Sequence, residues 1–290
     1  MQFGNRTAYY GFVAFSIASL GDNAQKVGAI PQGRVKHHIG LLLPHEHGAY
    51  AQFGFPMAAA WLLVRPGWNA ALWTLACFLA FWAHEPLLIL VDRRGKAQLQ
   101  RRGARALLLI CLLLPAAMAT ATAAILMAPL IPTAAFLPAM ALGAIASLLA
   151  VAGGERSLAG ELSAGLALVW ASLPVALAGG LPPVAAIGLT LLWSCAMTAG
   201  MLAVRGIIVR AKRGSRAGLL SAAQLAVAGL VVAFGVATGG LAPVRYSLAL
   251  APIAALTVFW LARPPAPRRL RRAGLLLVAA NLAALVFVVL

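Results

Sequence analysis

Nine runs of roughly twenty predominantly apolar residues follow one another along this chain, at 48–65, 69–91, 106–127, 132–152, 158–178, 184–204, 217–238, 244–262 and 273–290. A helix needs about 20 such residues to cross the hydrocarbon core of a bilayer. Strands of a membrane barrel alternate polar and apolar residues, and these runs do not. Hydrocarbon offers backbone groups no water, so an unbroken apolar run of this length is expected to be helical. Composition agrees. The residues AVILMFWYC make up 62% of the 290 positions and charged residues only 10%, against about a quarter in a soluble domain. Too few charges remain to coat a water-facing exterior. The expected fold class is all-α, a polytopic transmembrane bundle of about nine helices.

The connectors carry turn residues, as in Arg65-Pro66-Gly67, Gly179-Gly180-Leu181-Pro182-Pro183 and Arg263-Pro264-Pro265-Ala266-Pro267. They also carry the charge. Of 23 Lys and Arg residues, 21 fall before span one or after spans two, four, six and eight; only Arg65 and Arg245 fall in the opposite loops. By the positive-inside rule the N-terminus is expected in the cytoplasm, the C-terminus outside, and the chain in a bacterial inner membrane. The formal charge of +17 is then a topology label, with no motif or soluble domain pointing to nucleic acid. Residues 41–290 are expected to form one transmembrane domain. Residues 1–40, with an apolar run from Tyr9 to Leu20 too short to span, are read as a poorly ordered extension or as preceding a true start near Val35. Cys77, Cys111 and Cys195 lie in apolar runs and are read as buried small hydrophobes.

Strongly polar side chains at membrane depth are expensive, so each is a functional candidate by default. Leu43-Pro44-His45-Glu46-His47-Gly48-Ala49-Tyr50-Ala51-Gln52 opens span one, and His84-Glu85-Pro86 lies inside span two, which runs out through Asp92-Arg93-Arg94. Glu161 stands in the first turns of span five, and Arg205 and Arg210 flank the end of span six. Almost all belong to the cytoplasmic half. His45, Glu46, His47, Gln52, His84, Glu85, Asp92, Glu161, Arg205 and Arg210 are therefore the expected ligand-binding set. Glu85 and Asp92, seven apart, share a helical face, as do Arg205 and Lys212. If the two halves are pseudo-repeats, the acidic face of span two would oppose the basic face of span six. The simpler alternative is that the carboxylates neutralise neighbouring arginines, and Asp92 fits a solvated helix end best. His47 and His84 are weak metal candidates, since residue type alone is a poor signal; the bland reading of His45, Glu46 and His47 is a helix cap at the headgroup level. No particular cofactor is indicated. Trp82, one turn from Glu85, is the one tryptophan placed to wall a ligand; the outer ones suit an aromatic belt.

The segment Pro44-His45-Glu46-His47-Gly48-Ala49-Tyr50, followed by His84-Glu85-Pro86-Leu87 and a basic loop, resembles the YwiC-like family of bacterial membrane proteins from about residue 41 to the C-terminus. Glu46, His47, Gly48 and Ala49 match that family's hallmark; His45 stands where lysine is common and Tyr50 where tryptophan is common. The resemblance implies a polytopic membrane protein and no particular chemistry. More distantly, nine helices with polar motifs after spans two and six are similar to UbiA-type prenyltransferases, whose aspartate-rich motifs hold magnesium diphosphate. Here the first position offers only Glu85 and Asp92, and the second offers Arg205, Arg210 and Lys212 with no carboxylate. Prenyl transfer is therefore disfavoured, and such arginines would suit an anionic group bound directly.

The expected function is a multi-pass membrane protein with a cytoplasm-facing polar cavity. Its partners would be the lipid bilayer and an amphipathic or anionic small molecule, lipid, quinone or porphyrin-like. A transporter, whose polar groups should approach the bilayer midplane, or an assembly factor for a membrane respiratory complex are the alternatives.

Overall fold

The computed structural model describes residue 42 and residues 47–64, 66–128, 130–240 and 243–290, with only the backbone of His47 and Pro267. The expected N-terminal extension, His45 and Glu46 lie outside the described residues. Among those described there is no strand, and the helices follow the apolar runs: α1 (His47–Leu63), α2 (Trp68–Leu90), α3 (Lys96–Met127), α4 (Leu130–Ala134), α5 (Leu137–Val151), α6 (Leu158–Trp170), α7 (Ser172–Ala178), α8 (Pro183–Arg213), α9 (Ala217–Thr238), α10 (Val244–Ala262) and α11 (Leu270–Val289). The fourth and fifth runs each break into two helices, α4 with α5 and α6 with α7. Eight helical segments are long and apolar enough to cross a membrane. The first helix, α1, has 17 residues, at the lower limit for a span.

Two basic segments read as loops are helical extensions instead. Helix α3 begins ten residues before the expected span, at Lys96, and α8 continues nine residues beyond it, to Arg213. Lys, Arg, Gln and Leu are strong helix formers, so the backbone continues past the hydrocarbon while the charges reach water. Arg210, Lys212 and Arg213 occupy the last turn of α8, where cations suit the helix dipole, and Gly214 ends it in the left-handed region.

Successive helices pack as antiparallel neighbours, α2 with α3, α5 with α6, and α8, α9, α10 and α11 in series. Helices α1 and α8 tie these together. Helix α1 packs on α6, α7, α8 and α11, and α8 also meets α6, α7, α10 and α11. Trp73, Trp193 and Trp260 are fully buried and anchor three separate clusters of the core, so these three are packing residues and not an aromatic belt. By contrast, α3 is covered only along Ala106, Ala117 and Ala124, a stripe spaced 11 and 7 residues that keeps to one helical face. The rest of α3 turns Leu107, Leu108, Leu112 and Met118 outward. Such side chains need lipid around them. This corrects one expectation: Cys77 is buried in protein, Cys195 is half-buried, but Cys111 is exposed on this outer surface of α3.

Small residues set the closest approaches, as expected of membrane helices. A Cβ on Gly206 of α8 would lie 2.6 Å from the Leu219 nitrogen and 2.8 Å from the Gly218 carbonyl carbon of α9. The two backbones touch there.

Candidate functional site

The polar residues gather at the arginine-rich end of the bundle, where α2 ends, α5 turns into α6, and α8 begins its extension. The turn after α2 builds the first part. Asp92 lies in the left-handed region at φ 58°, with its N–H donating to Ile89 O at 3.1 Å and the Arg93 N–H donating to Leu88 O at 2.9 Å. These are the two bonds of a Schellman turn, with Asp92 at the position where glycine is usual. Asp92 is exposed, has no ion-pair partner among the described residues, and serves as a helix terminator. Because an L-residue with a Cβ is strained there, Asp92→Gly is expected to stabilise the protein by about 0.5–1 kcal/mol. A rise in thermal-unfolding midpoint in detergent checks this; a fall would show that the carboxylate has work elsewhere.

The turn folds Arg94 back over the last turns of α2. Its Nε donates to Glu85 Oε1 at 2.9 Å and its Nη2 to Oε2 at 2.7 Å, a bidentate pair. Glu85 is 3% exposed and Arg94 19%. Arg94 Nη1 also approaches Glu155 Oε1 at 3.8 Å, and Glu155 in turn stands 3.8 Å from Arg156 Nε. The neighbouring Arg93 donates to the Val151 carbonyl at the end of α5, a cation placed on the negative end of a helix.

The segment carrying Glu155 is itself tightly placed. Gly153, at φ 85°, ends α5 in a second Schellman turn, and a Cβ at Gly160 of α6 would strike the Gly154 and Glu155 carbonyls. Ser157 caps α6, its Oγ accepting from the Gly160 N–H at 3.0 Å. Glu161 follows in the first turn, where a carboxylate suits the positive helix end. Arg205 of α8 reaches it, Nη1 to Oε2 2.7 Å, and also donates to the Arg156 carbonyl at 3.4 Å. With side chains 36% and 42% exposed, this second pair contributes at most about 1 kcal/mol.

Glu85 and Arg205 are therefore joined through Arg94, Glu155 and Arg156, but the acidic face of α2 does not oppose the basic face of α8. Glu85 takes its cation from its own following turn, and Arg205 takes its anion from α6. Arg210 stands apart. Five residues on from Arg205, about 140° round the helix, it lines a cleft with Ile207, Arg216 and Pro265. Gln52 of α1 is also elsewhere, its Oε1 near Gly165 of α6 together with Met201 of α8. Among the described residues no three His, Cys, Asp or Glu side chains are grouped to hold a metal ion. His84 is half-buried one residue before Glu85, and the His47 side chain lies outside the described set.

Helix α1 meets this centre. The Tyr50 ring packs edge-on against Phe81, centroids 5.3 Å apart. Leu42 is buried with Ile89 of α2 and Ala106 of α3. Trp82, tilted against Phe78 at 4.5 Å, leaves its buried indole N–H without an acceptor among the described residues. Arg94, Glu155 and Arg156 were missing from the expected set. The available signal was a pair of arginines immediately after Asp92, a residue suited to reversing the chain.

Residues 43–176 match the family model described as YwiC-like protein. The match starts in the motif before α1 and ends within α7, and so holds the Glu85–Arg94 pair, Glu155 and Glu161 but not Arg205. The resemblance expected from Glu46, His47, Gly48 and Ala49 holds over that stretch. No curated protein and no solved structure matches the chain.

Proposed function

We propose that this YwiC-like multi-pass membrane protein binds an amphipathic ligand with an anionic end at the cytoplasmic margin of α1 and α2, beside Glu85 and Arg94. The observation that carries this is the buried ion pair itself. Taking a carboxylate and a guanidinium out of water costs about as much as their attraction returns, so such a pair adds little stability, and at membrane depth its usual reason is function. Locally Arg93, Arg94, Arg156 and Arg205 stand against Glu85, Asp92, Glu155 and Glu161, and Arg93 has no carboxylate partner among the described residues. An anionic end would draw on these guanidiniums alongside the carboxylates, while Trp82, whose N–H has no acceptor among the described residues, would wall the apolar body. Leu42 and Tyr50 both pack near the last turns of α2. Lipid, quinone and porphyrin-like molecules fit these requirements.

The test is to purify the protein in mild detergent and identify co-extracted molecules by mass spectrometry and visible absorbance. One species at near-equimolar amount is expected, reduced about tenfold or more in the double change Glu85→Leu with Arg94→Leu and in His47→Ala, as the loss of a charged contact implies. An empty protein, or a bound species indifferent to both changes, overturns the proposal.

A second reading is favoured by one specific fact. Each carboxylate of the cluster already has an arginine partner, and the pairs connect α2, α6 and α8, so the cluster would serve as a clamp in an assembly factor. In that case stability would fall in the same variants with no ligand to lose.

A further inference from the structure

At the far side of the arginine-rich end, α10 and α11 are joined through Pro264, Pro265 and Pro267 and a 3₁₀ turn at Pro267–Arg269. Proline fixes φ near −65°, so this connection holds its shape. Beneath it lies a cleft of about 310 Å³. It receives Arg269 from the 3₁₀ turn and Arg272 and Leu276 from α11, spaced three and four residues apart in sequence. From α10 it receives Phe259, and from the residue that caps the end of that helix, Arg263. On both walls the arginines stand at the loop end, and the apolar side chains continue into the membrane span. Phe259 and Leu276 are 52% and 48% exposed, while Trp260 closes the floor at 1%.

The charges differ from those around Glu85. Arg94, Arg156 and Arg205 have carboxylate partners, whereas Arg263, Arg269 and Arg272 have none among the described residues, and no described carboxylate lies in this part of the chain. From this we infer that the cleft between α10 and α11 binds an anionic phospholipid of the adjacent leaflet. Its phosphate lies among Arg263, Arg269 and Arg272, and an acyl chain runs down Phe259 and Leu276. A guanidinium fork suits phosphate oxygens, and basic clefts between helices at the cytoplasmic boundary suit anionic headgroups. The arrangement of charge above and hydrocarbon below commits the site to a lipid over a free phosphate, which would use only the upper half. The inference is independent of the ligand proposed at Glu85.

The test is native mass spectrometry of the full chain in micelles holding equal amounts of phosphatidylglycerol and phosphatidylcholine. Phosphatidylglycerol is expected to be retained about tenfold over phosphatidylcholine, and Arg269→Gln with Arg272→Gln to remove most of that preference. Arg101→Gln with Arg102→Gln, equal in charge removed but on α3, is expected to leave it within about twofold. Phe259→Ala with Leu276→Ala is expected to weaken retention while keeping headgroup preference. Glycerol 3-phosphate in excess is expected not to displace the lipid. Equal retention of the two lipids by the unmodified protein overturns the inference without any variant. So does equal loss in the two arginine pairs, which would mean diffuse charge, or displacement by glycerol 3-phosphate, which would mean a phosphate site.

Discussion

Arg94→Ala is expected to destabilise the protein by about 3–5 kcal/mol, because it leaves the Glu85 carboxylate buried with its charge uncompensated. Glu85 is 3% exposed and both of its oxygens accept from Arg94, so removal of the partner strips both hydrogen bonds at once. Glu85→Gln is expected to cost much less, about 1–2 kcal/mol, since the amide oxygen still accepts one bond and Arg94 keeps Glu155 nearby. The informative variant is the double change, Glu85→Leu with Arg94→Leu. Replacing both members of a buried pair by apolar residues is often neutral, so thermal unfolding in detergent should return toward the unmodified protein. Under the ligand-binding proposal the double variant is stable and empty. If the pair is only a clamp, the double variant keeps its full behaviour, including any partner it assembles with.

Gly206→Val carries the second large effect. The α8 and α9 backbones meet at Gly206 and Gly218, and even a Cβ would fall within 2.6–2.8 Å of α9 main-chain atoms. No side-chain rotation relieves a contact with backbone, so the helices must separate, at a cost of about 3 kcal/mol or more. Gly235→Ala, with nothing within 4 Å of the new Cβ, is the matched control. It is expected to be neutral or stabilising by up to about 1 kcal/mol through helix propensity. The comparison is read as monodisperse yield and unfolding midpoint. Equal behaviour of the two variants would show that α8 and α9 do not cross as described.

The helices were legible because hydrocarbon permits little else: all nine apolar runs are helical, and eight of them form segments long and apolar enough to cross a membrane. Their ends were less so. Segments 96–105 and 205–213 have the charge of a loop and the propensity of a helix, and membrane hydropathy reads only the first. Cys111 was misjudged for a related reason, since lipid-facing and protein-facing positions are equally apolar in α3 and only the alanine stripe tells them apart. At the polar end, Glu85, Glu161 and Arg205 were recognisable from depth. A neighbouring arginine as the counter-ion of Glu85 was the simpler alternative, and Arg94 fills it; the Glu161–Arg205 pair was not foreseen, because it depends on where the start of α6 lies against α8. Spacing along α2 and α8 pointed instead to an opposition of those two helices that the structure does not build. Asp92 read best as a solvated helix end and is exposed there; that it ends the helix in the left-handed region only its φ reveals.

The central claim is that the Glu85–Arg94 pair and the start of α1 enclose a ligand. A density map of the protein in nanodiscs made from its own membrane tests it most directly. The account predicts non-protein density between the first turn of α1 and Arg94, with its polar end on the guanidinium and its body against Trp82. A map in which the motif before α1 packs directly onto Glu85 and Arg94, leaving no space between them, would contradict it.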